Sequence, residues 1–247
     1  MIVLISPTKN MKIVQKTEGE LAIPPFVEKT GEIIDKLKSF SVQEVQHLLK
    51  INDKLAVLNK TRYQNFAMDA EGTAAIDTYD GLQFKNIAAD DFTEEDKLFA
   101  EQKLRIISGM YGYLTPYSSI YPYRLEFQTR MSVGEAENLY QFWDSLIYET
   151  LKTEDRVMIN LTSNEYSKAI TPYVDEEVTF INCAFKVRKK GELKVEATAS
   201  KMARGKITRF IVKNKIDTPE GLKDFSEDGF CFREELSTST EYVFIKE

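Results

Sequence analysis

Two short apolar runs, residues 2–5 (Ile-Val-Leu-Ile) and 157–161 (Val-Met-Ile-Asn-Leu), each stop abruptly at a polar turn. Runs of this length bounded by turn residues predict buried strands. The turns that follow, Ser6-Pro7-Thr8-Lys9 and Thr162-Ser163-Asn164-Glu165, then sit at strand carboxyl ends, where α/β layer structures place their sites. The two ends are expected side by side in a parallel part of one sheet. Between the runs lie helical patterns. Ile33, Ile34 and Leu37 give residues 28–39 an inward face. Ser41-Val42-Gln43-Glu44 is a capping box for a helix carrying Val45, Leu48 and Leu49. Another helix opens at Asn52-Asp53 with Leu55 and Leu58, and the Lys50-Ile51-Asn52 link makes residues 42–64 a helical hairpin. Residues 10–27 read as irregular around Gly19 and Pro24-Pro25.

Farther along, residues 73–87 include a strand-like stretch broken by a Tyr79-Asp80-Gly81-Leu82 turn. Thr93-Glu94-Glu95-Asp96 caps a helix over residues 94–107, with Leu98, Leu104 and Ile107 internal. If residues 117–130 are extended, Arg124 and Glu126 share a strand face. A cap at residues 132–135 starts a helix reaching to residue 151, whose Leu139, Phe142, Trp143, Leu146 and Ile147 face inward, so the single Trp reads as core. A helix opening after Ser163 ends at Pro172. Residues 178–188 and 192–198 alternate and join through Lys189-Lys190-Gly191 as a β-hairpin. Thr218-Pro219 opens a short helical turn, and residues 229–233 and 242–246 close the sheet. No repeat or linker divides the chain. The predicted fold is one mixed α/β domain over residues 1–247.

Composition narrows the function classes. With 43% hydrophobic residues, 15 Phe and 12 Tyr, the chain can bury a sizeable core. No apolar run approaches the roughly 20 residues of a membrane span, and the first residues lack the basic leader of a signal peptide. A cytoplasmic protein with no membrane role and no obligate protein partner is expected. Cys183 and Cys231 form no CxxC and lie in strand-like runs, so they read as buried, reduced thiols. His47 is the only histidine, which removes His-rich metal sites and leaves it to surface or packing chemistry. GxGxxG, Walker, GxSxG and HExxH patterns are missing, and neither a metal nor a cofactor is expected.

Charge is distributed unevenly. The net charge is −6, yet residues 186–215 hold eleven Lys or Arg against two Glu, a local +9 that leaves −15 elsewhere. Residues 198–215 form the organising stretch. Ala203, Ile207, Phe210 and Ile211 recur at helical spacing, Met202, Lys206, Arg209 and Lys213 line a neighbouring face, and Lys201 and Arg204 lie close by. Such a helix can bury one side and hold out cations to an anion or a phosphate backbone, with Gly205 permitting close approach; the alternative is a solvated basic helix on an acidic protein. A second candidate contact is Ser108-Gly109-x-x-Gly112, which resembles the hairpin of a helix-hairpin-helix whose glycines expose N–H groups to phosphate, although Pro116 opposes a second helix. The remaining polar set suggests a mixed cleft. Tyr79, Arg124, Asn160 and Ser163 would line it, and Lys9, Glu126, Glu165 and Lys168 are candidate catalytic groups, since a lysine beside a glutamate supports acid–base or nucleophilic chemistry. An enzyme acting on a nucleic acid or nucleotide, and an iron-binding or scaffold protein, stay open as alternatives.

Several segments occur together in a fixed order: Leu4-Ile5-Ser6-Pro7-Thr8-Lys9; Tyr79-x-Gly81-Leu82; the stretch from Arg105 through Ser108-Gly109-Met110-Tyr111-Gly112 to Pro116; Tyr123-Arg124-Leu125-Glu126; and Tyr140-Gln141-Phe142-Trp143. They continue with Asn160-Leu161-x-Ser163-x-Glu165-Tyr166-x-Lys168 and Lys201-x-Ala203-Arg204-Gly205-x-x-x-Arg209-Phe210. In these segments the chain resembles the YaaA family of bacterial peroxide-stress-response proteins. The resemblance implies a cytoplasmic protein that keeps unincorporated iron low during hydrogen peroxide stress. It also implies a single-domain α/β fold special to the family, with a positively charged cleft and a helix-hairpin-helix-like element that binds double-stranded DNA. Residues 105–116 have the glycines for that element and residues 42–64 have the helices. Ile76-Asp77 departs from the Gly-Asp pair that often precedes the tyrosine in the family.

Overall fold

Ile2–Ile5 is the axis of the main sheet because all four residues are buried and both edges are paired. In this computed structural model, which describes residues 1–12, 21–69 and 71–247, Val3 lies opposite Leu104 on one side and Ile159 on the other, both in parallel. The expected parallel neighbourhood of the two strand ends is therefore present. A strand enclosed in this way has no solvated side, which is why its sequence is continuously apolar rather than alternating.

Around this axis a nine-stranded mixed sheet runs in the order Ser226–Glu227, Phe230–Phe232, Glu241–Lys246, Thr179–Lys189, Val157–Leu161, Ile2–Ile5, Leu104–Ser108, Gly112–Leu114. Glu192–Lys194 pairs on Thr179–Lys189. The five middle strands are parallel and the margins antiparallel. Val27–Ser39 buries Ile33, Ile34 and Leu37 as its periodicity predicts. Ser41 and Glu44 form the capping box of Val42–Leu49, and Asn52 caps Asp53–Gln64, so the helical hairpin of residues 42–64 exists. Its second helix turns Ala56, Asn59 and Tyr63 inward and leaves Leu58 exposed.

Four local expectations are corrected. The helix capped by Thr93 ends at Lys103, and Leu98 is 65% exposed. Leu104–Ser108 leaves it as a wholly buried strand, because this β-branched run has the Ile2–Ile5 edge to pair with. It turns back antiparallel onto Gly112–Leu114, so residues 105–116 are a β-hairpin with no second helix. The 73–87 stretch is not mainly extended: Ala75–Thr78 and Leu82–Ile87 are helical between two-residue bridges. Residues 132–151 split into Leu139–Trp143, capped by Asn138, and Leu146–Glu154, because Asp144 takes φ 45°. Arg124 and Glu126 lie in irregular chain rather than on a strand. Within the expected irregular segment, Gly19 lies outside the described residues. Trp143 is core, its indole N–H donating to the Gly109 carbonyl at 3.0 Å. Cys183 is buried and Cys231 only half-buried, and both are free.

A small bridge positions the site. Asn10–Met11 pairs antiparallel with Tyr79–Asp80, which lays the 79–82 turn over the end of the first strand. The approach is close enough that a Cβ on Gly81 would stand 2.6 Å from Thr8 Cγ2.

Candidate functional site

The carboxyl ends of the first strand and of Val157–Leu161 open into a cleft of about 490 Å³. Its floor is fixed by hydrogen bonds. The Asn160 amide donates to Asn182 Oδ1 at 2.8 Å and to Ser167 Oγ at 2.9 Å, while its carbonyl accepts from the Thr162 N–H and hydroxyl at 3.0 and 2.7 Å. Asn160 is thus a satisfied buried knot beneath the cleft that shapes the 162–165 turn. From that turn the Ser163 N–H donates to Ser6 Oγ at 2.8 Å and ties the two strand ends together. Tyr79 is also beneath the surface. Its hydroxyl, the Tyr123 hydroxyl and Ser108 Oγ form a buried chain with both links at 2.7 Å.

That chain explains the Ser108–Gly112 turn. Ser108 Oγ accepts from the N–H groups of Met110 and Tyr111 at 3.2 and 3.1 Å, and all three residues are buried. These N–H groups are satisfied internally instead of facing a phosphate. A Cβ on Gly112, at φ 74°, would stand 2.6 Å from Phe26 and 2.9 Å from Trp143, while one on Gly109 would meet backbone at 3.3 Å. Both glycines serve packing.

One wall of the cleft carries Glu165, with Glu126 just outside it. Glu126 takes Lys9 Nζ at 3.2 Å and Arg124 Nε at 3.3 Å. The Arg124 contact is an ion pair without hydrogen-bond alignment. Glu165 accepts from the Gln128 N–H at 3.2 Å. Burial pushes its carboxyl above the ordinary 4.5, that N–H pulls it back, and the Glu126 charge adds to the rise. Lys9, Glu126 and Glu165 thus come together, whereas Lys168 is exposed on the far side of its turn and lines neither cleft.

The opposite wall is the helix Ala197–Lys213, and it divides into two halves. It packs on Leu82–Ile87 through Gly205, where an added Cβ would come within 2.2 Å of the Gln83 carbonyl oxygen. Beyond Gly205 the cations are engaged. Arg209 grips Asp91 through both terminal nitrogens at 2.8 and 2.6 Å and caps Leu82–Ile87 by donating to the carbonyls of Ile87 and Ala88. Lys213 reaches Asp96 at 2.9 Å, Lys215 pairs with the same carboxylate, and Lys206 lies 3.7 Å from Asp228. Before Gly205, Lys201 and Arg204 line the cleft. Arg204 is mostly buried, and its Nε has neither solvent nor, among the described residues, an acceptor. Desolvation lowers its pKa, and the titratable group facing it is Cys183. Burial pushes that thiol up to about 12, so it offers no counter-charge.

A second cleft of about 730 Å³ adjoins at Lys9 and runs past Lys36, Lys50, Arg124 and Arg130, with Glu44 and Glu126. Sequence reasoning left this extension out. Lys50, in the left-handed conformation, links the helical hairpin, and His47 lies beside it with Nδ1 2.9 Å from the Gln43 carbonyl. Lys85 and Gln83, which carried no periodic or motif signal of their own, also belong to the first cleft, as does Asp80, which the sequence marked only as part of a turn. Among the described residues no three His, Cys, Asp or Glu side chains group as a metal site, and no helix is long and apolar enough to cross a membrane.

Residues 1–236 match the family model described as peroxide stress protein YaaA. The chain is 48% identical over 247 residues to a UPF0246 protein of Clostridioides difficile, covering all of both chains. It is 39% identical over 248 residues to one of Ligilactobacillus salivarius, again over all of both, and 35% identical over 244 residues to one of Agathobacter rectalis, covering 99% of this chain and 98% of that one.

Proposed function

The chain belongs to the YaaA family of peroxide stress proteins, and from that premise we propose that it binds double-stranded DNA along the trough formed by its two clefts. The observation that carries this reading is their junction at Lys9. Across the joined trough eight Lys or Arg side chains face four carboxylates. Many of these cations are exposed enough to meet phosphates, which supply most of the affinity in duplex binding. Lys201 and Arg204 mark one end of the footprint. The link of the helical hairpin at residues 42–64, with Lys50, marks the other, which makes that hairpin the duplex-contacting element. Arg209 and Lys213 hold the basic helix in place through Asp91 and Asp96.

In the cell, this reading gives a cytoplasmic protein that limits peroxide damage by keeping unincorporated iron low through action on DNA rather than by chelation. A duplex-binding titration at stepped salt tests the trough. Replacing Lys201 and Lys50 together by Ala should lower affinity and reduce the salt slope by about 2, since each phosphate contact contributes close to one unit. Salt-insensitive binding, or none, removes the reading.

One observation favours a second reading, an enzyme acting on a nucleic acid or nucleotide. Glu165, its carboxyl raised by burial, shares a cleft with Lys9 and the Ser6 hydroxyl, a combination suited to acid–base work. Turnover of a nucleic acid or nucleotide that is lost in Glu165→Gln while binding persists would establish it. Full turnover in that variant would dismiss Glu165 from the chemistry.

A further inference from the structure

We propose that Arg204 centres a binding site for a phosphate monoester, set in the floor of the smaller cleft. An arginine stays charged under all ordinary conditions, and an unpaired charge withdrawn from water is unfavourable until an opposite charge joins it. Arg204 is partly in that position: its side chain is only partly exposed, and its Nε is shielded from solvent with no acceptor among the described residues. Four of its neighbours on the same helix and its carboxyl-terminal extension have carboxylates, at Asp228, Asp91 and Asp96. Arg204 has a neutral thiol. Its counter-ion therefore comes from outside, through the cleft that it lines.

The other groups on the cleft indicate which anion. Ser6 Oγ already accepts the Ser163 N–H, which leaves its own hydroxyl proton free to donate. Gln83 Nε2 is a second buried donor with no acceptor among the described residues, and Lys201 stands exposed at the rim. A guanidinium, an amide, a hydroxyl and an ammonium on one cleft are an excess of donors. They match a terminal group with three oxygens and up to two charges, the inventory of a phosphate monoester. Glu165 on the same cleft refines the choice. A phosphate monoester has a second pKa of about 6 and can carry a proton to share with a carboxylate, which sulfate cannot.

An internal phosphodiester fits the floor less well. It has one charge and two free oxygens, and it is carried in a continuous backbone, whereas Arg204 Nε has no solvent contact. The monoester has two possible sources, a free nucleotide or the 5′-phosphate of a DNA strand end. The strand-end source rests on the DNA reading above; the nucleotide source is independent of it.

The test uses the full chain and two sets of probes. Calorimetry follows inorganic phosphate, deoxyadenosine 5′-monophosphate, deoxyadenosine and sulfate. Fluorescence anisotropy follows one duplex with 5′-phosphate ends, with 5′-hydroxyl ends, or with both ends closed by hairpin caps. Inorganic phosphate and the monophosphate should saturate one site and compete, deoxyadenosine should not bind, and sulfate should bind more weakly than phosphate. Arg204→Met, which keeps volume and removes charge, should weaken phosphate binding about 100-fold, and Ser6→Ala about 10-fold, as expected for charged and single hydrogen bonds. A preference for the phosphorylated over the hydroxyl end identifies the strand end as source. Equal affinity for both ends, with monophosphate binding retained, identifies the nucleotide.

Failure of both phosphate probes to saturate, or binding unchanged in Arg204→Met and Ser6→Ala with both folded, overturns the site. The capped duplex separates the two readings. Salt-sensitive binding to it without any monoester binding leaves the DNA reading standing and ends this one. Monoester binding without capped-duplex binding does the reverse.

Discussion

The two halves of the helix Ala197–Lys213 carry the same kind of charge and are used in opposite ways. After Gly205, Lys206, Arg209 and Lys213 all lie on carboxylates that belong to other parts of the chain. Before it, Lys201 and Arg204 face a cleft and have no such partners among the described residues. The later cations join the helix to the 89–96 segment and the 226–228 strand end. The earlier ones have no carboxylate paired with them among the described residues, and the proposed sites rest on that difference. Density of positive charge along a sequence therefore marks a binding site poorly; charge that the fold leaves uncompensated marks it better.

The division pivots on Gly205, and its replacement should have the largest effect. Alanine would favour an exposed helix by about 1 kcal/mol, but here its Cβ would stand 2.2 Å from the Gln83 carbonyl oxygen, a backbone atom that has no rotamer to yield. Separating the two helices should make Gly205→Ala less stable by about 3 kcal/mol, at the upper end of overpacking costs. In a chain of 247 residues that lowers the melting temperature by about 8 °C. Calorimetric melting reads the change, and a neutral or stabilising Gly205→Ala would mean that the pivot is not where the helices touch.

Next comes the engaged half. Asp96 has almost no accessible surface, although it lies near the protein boundary, because the tails of Lys213 and Lys215 cover it. Hydrogen bonds from Lys215 and Lys213 hold its carboxyl far below the ordinary 3.8. A carboxyl depressed in the folded state stabilises it above the unfolded pKa, and that contribution fades as pH falls through the folded value. Asp96→Asn should cost about 2 kcal/mol near neutrality, from the weakened cap and the charged hydrogen bonds. The gap from the parent should then close as pH drops below about 4. Denaturant titrations at stepped pH check both the size and the closing. A gap that stays constant down to pH 2 would show that the lysines contribute packing rather than charge.

The sequence made one half of this comparison legible and hid the other. Ser6, Lys9, Ser163, Glu165, Lys201 and Arg204 were within reach because each follows or opens an element whose apolar pattern is strong. The first strand, its parallel neighbour at 157–161 and the Ser41 capping box were likewise plain, since run length and local side-chain chemistry decide them. Asp91 and Asp96 were not. They lie 118 residues from Arg209 and 117 from Lys213, a pairing that only tertiary packing makes. The same holds for Leu104–Ser108, where helical periodicity from Leu98 onward competes with a strand whose partners are the first residues of the chain. At Asp144 a left-handed turn at a residue other than glycine breaks a helix that the apolar pattern carries straight through.

The unengaged half gives the smaller effects, and the first has the opposite sign. If Arg204 is a desolvated cation awaiting a ligand, replacing it with an apolar residue of similar length removes an unfavourable term. In phosphate-free buffer Arg204→Met should be more stable than the parent by about 1 kcal/mol. Adding phosphate should raise the parent's melting temperature and leave the variant's unchanged. Arg209→Met, by the same measurement, should be less stable than the parent, because it leaves Asp91 with Lys213 alone and takes the guanidinium from two helix-end carbonyls. If both methionine variants lose stability alike, Arg204 is held by the fold as firmly as Arg209 and the two halves do not differ.

Lys201→Ala should have the smallest effect on the fold and the most selective effect on binding. Its ammonium is exposed and forms no ion pair among the described residues, so stability should move by no more than about 0.5 kcal/mol. On the proposed DNA reading its charge is one of those offered to the duplex, and removing it should lower the salt slope of DNA binding by about 1, uniformly across sequences. Lys213→Ala supplies the contrast on the same helix, since an ammonium already committed to Asp91 and Asp96 has little left to give a phosphate. That variant should lose stability and leave the slope alone. Equal slopes for the two would mean that the carboxylates release Lys213 when DNA arrives, and the line at Gly205 would then separate two resting states rather than two roles.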